Sequence, residues 1–143
     1  MLLVGCCCIF LIALTTVVHY EVLRGLSARL PGLSIPARSK LLVVIFATFI
    51  AHTLEIALYG LVPFLLVRYG DVGTLGGGRD TLVTFIYFSA ETYSSLGYGD
   101  IIPFGPIRLF AGVEALNGLL LIGWSASYVY IAMERFWTDT LRG

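Results

Sequence analysis

The chain has 143 residues, of which 58% are hydrophobic and 13% charged, with mean hydropathy +0.91 and zero formal net charge. A soluble domain carries about 25% charged residues to cover its surface, so the composition places the chain in a bilayer. Balanced charge, with no basic run and no zinc-type Cys/His spacing, argues against a nucleic-acid partner. No Gly-rich phosphate loop and no Gly-x-Ser-x-Gly elbow supports an enzyme.

Leu2 to Val18 is an unbroken apolar run, long enough to span, and residues 1–20 are predicted as an N-terminal transmembrane helix. The string LVGC at 3–6 is similar to a lipoprotein cleavage box but lacks a basic flank and is read as part of this helix. Cys6, Cys7 and Cys8 point about 100° apart on a helix and cannot pair with one another. Residues 19–40 carry four of the nine basic residues, Arg24, Arg29, Arg38 and Lys40. Val22, Leu23, Leu26 and Leu30 fall on one helical face with Arg24 and Arg29 off it, which predicts a short helix lying in the membrane interface over 21–30, within a 21–40 linker. Pro31 and Gly32 end it.

Residues 41–67 form the second predicted span, with Gly60 and Pro63 allowing a bend. Residues 68–80 are a polar, Gly-rich loop, and Asp80 is the candidate N-cap of the next helix. Residues 81–93 are apolar but too short to cross, which fits a re-entrant helix. Pro106 sits at the start of the last span, 107–133, which Glu134, Arg135, Phe136 and Trp137 close at an interface; 138–143 is a short tail. The 19–40 segment and residues 134–143 hold six of the nine basic residues, so both are expected in the cytoplasm, with the N-terminus and residues 95–100 outside, in a cell or inner membrane.

Between the short helix and the last span stands Ser94-Ser95-Leu96-Gly97-Tyr98-Gly99-Asp100, with a proline soon after at 103. Non-helical backbone at membrane depth is tolerated where protein shields it or where it lines water. Glycine permits conformations that let successive carbonyls point one way, and a ring of such columns can replace the water shell of an alkali cation. One chain supplies one column, so several chains must converge.

The stretch YFSAETYSSLGYGDIIPFGP resembles the pore helix and selectivity filter of potassium channels, whose signature is Thr-Val-Gly-Tyr-Gly-Asp; here it reads Ser95-Leu96-Gly97-Tyr98-Gly99-Asp100. The close likeness covers about 20 residues, and the helix order extends it to 41–137. The resemblance implies an all-α pore-loop channel, a homotetramer passing K+ passively, with no organic cofactor and membrane lipid as the other partner. It implies that carbonyls of Ser95, Leu96, Gly97 and Tyr98 line the ion path, that the Ser95 hydroxyl completes the innermost position, that Gly99 turns the chain and that Asp100 anchors the outer mouth. Leu96 and Tyr98 would face the pore helix. Serine for threonine and leucine for valine are the departures, and they leave a non-selective cation pore as the alternative. A second alternative is a non-conducting sensor of metal or protons.

In acid-activated bacterial potassium channels, carboxyls spaced like Glu91 and Asp100 form a hydrogen-bonded pair behind the filter; the resemblance gives this pair a role in inactivation or in static bracing. Mid-way along the second span, His52 and Glu55 lie three apart on one face, where ionisable groups are costly and usually partnered. Glu114 and Asn117 on the last helix are the candidate partners. Counted from the cytoplasmic side, Cys8 falls near the depth of His52, so the readings are a helix-to-helix lock, a pH sensor or a Cys/His/Glu metal site. His19 is expected at the interface, solvated. Gly118 and then Gly123 are candidate bends of the inner helix or close-packing points. Trp124, Tyr128 and Tyr130 are read as packing. No regular arginine series forms a voltage sensor. The 21–30 stretch resembles, in position, the slide helices of inward rectifiers and is expected to couple lipid or pH to a gate through Arg24 and Arg29.

Overall fold

The computed structural model describes the backbone of residues 1–141 and the side chains of residues 1–136. Four helices account for most of it: α1 (Leu2–Arg29), α2 (Ala37–Gly70), α3 (Leu82–Tyr93) and α4 (Ile107–Leu141). Three segments, Leu2–Gly32, Ala37–Gly70 and Ile107–Phe136, are long and apolar enough to cross a membrane. α3 is the short fourth helix and does not span. α2 packs against each of the other three.

The inward faces follow a spacing of three and four. On α1 the buried residues are Val4, Cys8, Leu11, Thr15, His19 and Leu23; on α2 they include Val44, Thr48, Ala51, Glu55, Tyr59 and Pro63. The opposite faces are just as apolar: Ile9, Phe10, Phe46, Phe49 and Ile50 are exposed on the isolated chain. In lipid the outside of a bundle needs no polar face, so the polar residues mark the inside instead.

Several boundaries differ from those read in the sequence. The interfacial helix expected over 21–30 is not a separate element, because α1 runs unbroken to Arg29 and closes in a single 3₁₀ turn at Leu30–Gly32. Residues 19–23 contain no glycine or proline to stop it, and Gly25 alone does not break a helix held by packing on both sides. The second helix is longer than 41–67, starting after Pro36 and ending where Asp71 takes the left-handed conformation at φ 49°. Pro63 lies inside it without ending it, and Gly60 is a contact point: a Cβ there would come within 2.9 Å of the Ile86 backbone on α3. The cap of α3 is Thr81 rather than Asp80; its Oγ1 accepts from Thr84 N at 3.3 Å. The last helix continues past 133 to Leu141, so 138–141 of the expected tail are helical, while Arg142, Gly143 and the side chain of Trp137 lie outside the described residues.

The Gly-rich stretch after α2 contributes to a two-stranded sheet that sequence reading missed. β1 (Thr74–Gly76) pairs antiparallel with β2 (Ile102–Phe104), in the register Thr74↔Phe104, Leu75↔Pro103 and Gly76↔Ile102. Leu75 and Ile101 are buried with Phe85, Phe88 and Ile107, which fixes the segments before α3 and before α4 to one another. Gly77, at φ +93°, is required by the approach: a Cβ would stand 1.9 Å from the Asp100 carbonyl oxygen.

Candidate functional site

α3 ends at Tyr93, and the chain then leaves the helix with its backbone amides turned back toward it. Ser95 N donates to the Thr92 carbonyl at 3.0 Å, and Leu96 N and Gly97 N donate to the Glu91 carbonyl at 2.9 and 3.2 Å. Tyr98 N donates to the Glu91 carboxylate at 3.1 Å. One glutamate thus holds three consecutive amides. Ser95, Gly97 and Gly99 all have positive φ (57°, 53° and 79°), whereas Leu96 and Tyr98 between them do not. An alternating sign of φ of this kind turns successive amides to one side of the chain. Among the described residues no hydrogen bond is donated to the carbonyls of Ser95, Leu96, Gly97 or Tyr98. The left-handed region is natural to glycine; for Ser95 it costs about 1–2 kcal/mol, which the Glu91 contacts on the next two residues help to offset.

The Glu91–Asp100 pair is not formed. Each carboxylate instead accepts from its own neighbour, Glu91 from the Tyr98 amide and Asp100 from the Tyr87 hydroxyl at 3.2 Å. Burial pushes the Glu91 carboxyl above the ordinary carboxylate range; the Tyr98 amide opposes this, and the nearby Asp100 charge adds to it. Leu96 and Tyr98 do not pack on α3; their side chains are 59% and 69% exposed on the isolated chain.

Deeper in the bundle, four helices meet at a polar cluster. His19 on α1 is fully buried, with Nδ1 at 2.9 Å from Glu55 Oε1. His52 Nδ1 lies 3.0 Å from Glu55 Oε2, to which the Tyr93 hydroxyl at the end of α3 also donates. The Nε2 atoms of His52 and His19 both reach Ser125 Oγ on α4, at 3.0 and 3.1 Å. The two rings stand 5.1 Å apart, and Trp124 packs 5.4 Å from His19.

These contacts correct the pairing expected for the second span. His52 and Glu55 do meet, but their partners are His19, Tyr93 and Ser125 rather than Glu114 and Asn117. His19 is not solvated. Cys8 is not near His52; it sits in an apolar cluster with Val4, Leu11, Tyr59 and Phe110, about 16 Å along α1 from His19. Extending α1 to Arg29 slides its register by about three turns, which brings His19 to the level assigned to Cys8. The signal was present: Thr15 and His19 are polar residues on one stripe of an otherwise apolar helix.

Asn117 and Glu114 form separate contacts further along. Asn117 Nδ2 donates to Thr15 Oγ1 at 2.8 Å and to the Tyr59 hydroxyl at 3.1 Å. Glu114 is fully buried against the Ser89 hydroxyl, with Oε2 unpartnered among the described residues. Gly118 is a contact point of α4 on α3, since a Cβ would stand 2.2 Å from the Tyr93 carbonyl oxygen. At Gly123 nothing lies within 4 Å. Tyr128 shares a hydrogen bond with Ser27 at 2.9 Å, and Tyr130 is exposed.

Residues 39–135, well over half of the chain, match the family described as Ion channel. Over 50 residues the chain is 38% identical to the inward rectifier potassium channel Kirbac3.1 of Paramagnetospirillum magnetotacticum, a match covering 34% of this chain and 17% of that protein. No solved structure matches. Three helices able to span, a short helix and a non-helical loop between the second and third, and the family match over that same region agree: this is a multi-pass membrane protein, and the chain belongs to the ion channel family.

Proposed function

We propose that four copies of this chain surround one axis and conduct potassium passively through the carbonyls of Ser95, Leu96, Gly97, Tyr98 and Gly99. The observation that carries this reading is the alternation of handedness at Ser95, Gly97 and Gly99, with the amides held by Glu91. It gives a row of carbonyls with no internal donor, the arrangement that replaces a cation's hydration shell. Potassium as the permeant ion rests on the Gly-Tyr-Gly sequence and on the partial likeness to a potassium channel. Closed symmetry is the ordinary state of such assemblies, and neighbouring copies would cover the exposed side chains of Leu96 and Tyr98. Glu91 from α3 and Asp100 from the far end of the loop act as supports. The α1–α2 connection and the first turn of α2, with Arg38 and Lys40, face the cytoplasm, and the loop faces outside.

The test is cation uptake into liposomes holding the purified protein. Potassium uptake that exceeds sodium uptake and stops with barium supports the proposal. Equal uptake of both ions makes the pore non-selective, the result that Ser95 and Leu96 would explain. No uptake by assembled tetramers contradicts conduction.

A further inference from the structure

The polar cluster where α1, α2 and α4 meet the end of α3 is not closed by hydrogen bonds among neutral side chains alone. His19, His52 and Glu55 each place a ligand atom within 4.8 Å of the others. Both rings turn Nδ1 to the carboxylate, at 2.9 and 3.0 Å. Ligands around a tetrahedral zinc-type ion lie about 3.3 Å apart, so a small shift of these side chains would admit one. Tyr93 Oη stands 3.0 Å from His52 Nδ1, beside the remaining position.

Proton counting sharpens this. A carboxylate accepts, so both Nδ1 atoms must donate to Glu55, and the Tyr93 hydroxyl donates to it as well. With both rings neutral, both Nε2 atoms are then acceptors. Ser125 has one hydroxyl hydrogen for the two of them. An ion bound at the Nδ1 atoms reverses the pattern: both Nε2 atoms carry hydrogen, and the two lone pairs of Ser125 Oγ accept both. A ring nitrogen donating to an oxygen while its mate binds metal is the usual outer support of a histidine ligand. One added proton would close the same count, and direct metal titration separates the two.

We propose that His19, His52 and Glu55 bind one divalent transition-metal ion per chain, of the zinc class that imidazole and carboxylate ligands select, with Ser125 orienting both rings. His19 lies on α1, outside the 39–135 region shared with the family. The ion would therefore fasten this additional helix to α2 and, through Tyr93, to the end of α3 from which the 94–100 loop departs.

The probe is cobalt(II), titrated into the full-length protein in detergent after chelator treatment. The expected result is one ion per chain, with the strong visible absorption of four-coordinate cobalt, displaced by zinc. His19→Ala should abolish it. Ser125→Ala keeps all three ligands and should weaken binding about 10- to 100-fold, a readout that stands even if the His19 variant does not fold. Absence of binding, which a proton-only cluster predicts, overturns the proposal. So does weak six-coordinate absorption indifferent to Ser125→Ala. Binding does not depend on conduction, so a chain that takes up cobalt and passes no cation keeps the site and loses the channel reading.

Discussion

The 94–100 loop and the His19–Glu55 cluster both gather polar groups in an apolar molecule, by opposite means. In the loop the polar groups are backbone atoms, set by dihedral angles over a few consecutive residues and held by one nearby glutamate. In the cluster they are side chains from four helices, up to 106 positions apart in sequence, held by one another. The loop is therefore sensitive to altered handedness and tolerant of side-chain identity. The cluster is the reverse. The alternation at 95–99 thus persists with serine and leucine at 95 and 96, whereas no residue of the cluster is replaceable by an apolar neighbour without stranding a partner.

The contrast is broken most directly at Glu55 and Gly97. Glu55→Ala strands three donors in a buried site and should destabilise the fold by about 3–5 kcal/mol, measured by thermal unfolding in detergent. At Gly97 nothing lies within 4 Å of an added Cβ, yet φ is +53°. Gly97→Ala should lower thermal stability by only about 1–2 kcal/mol while reducing cation uptake to background, because the alternation fails. If uptake persists, handedness is not what orders the loop. Gly118→Ala, with a Cβ driven against the Tyr93 carbonyl, should destabilise by about 1–3 kcal/mol through the contact between α3 and α4. An unchanged melting point would make Gly118 a free bend instead.

Glu91 tests the support of the loop by pH. Its carboxyl is raised above the ordinary range, chiefly by burial, so the folded loop favours the protonated form. Its contribution to stability is present at low pH and falls as pH rises through the shifted value. Glu91→Gln, neutral at every pH, should flatten the dependence of both melting point and current decay between mildly acid and mildly alkaline solution. An unaltered pH profile would assign the dependence to another group. The smallest effect is expected from Arg24→Gln. Arg24 pairs with Glu21 at 3.0 Å, but both side chains are more than half exposed, so the loss should stay within about 0.5 kcal/mol. A change in lipid dependence without a change in stability would show that Arg24 reads headgroups.

The same contrast decides how much is legible in the sequence. Gly97 and Gly99 announce left-handed positions by their identity, and the short apolar helix before them announces its length. Ser95 carries no such mark, and its φ of 57° is visible only in the structure. The β1–β2 pairing is hidden because three-residue strands show no alternation and their glycines look like loop. The end of α1 is hard to place because His19, Glu21 and Arg24 resemble an interface; with His19 buried against Glu55, that polar run belongs partly to the inside of the bundle. Pairings across α1, α2 and α4 depend on helix register, which composition does not supply. Glu55 and His52 stand out as a costly pair, but their partners do not.

The most direct test of the central claim is the reversal potential of the reconstituted protein in a planar bilayer, with potassium on one side and sodium on the other. A carbonyl path formed by Ser95, Leu96, Gly97, Tyr98 and Gly99 predicts a reversal potential set by potassium and a current blocked by barium. A reversal potential near zero, or no current from assembled protein, would contradict it.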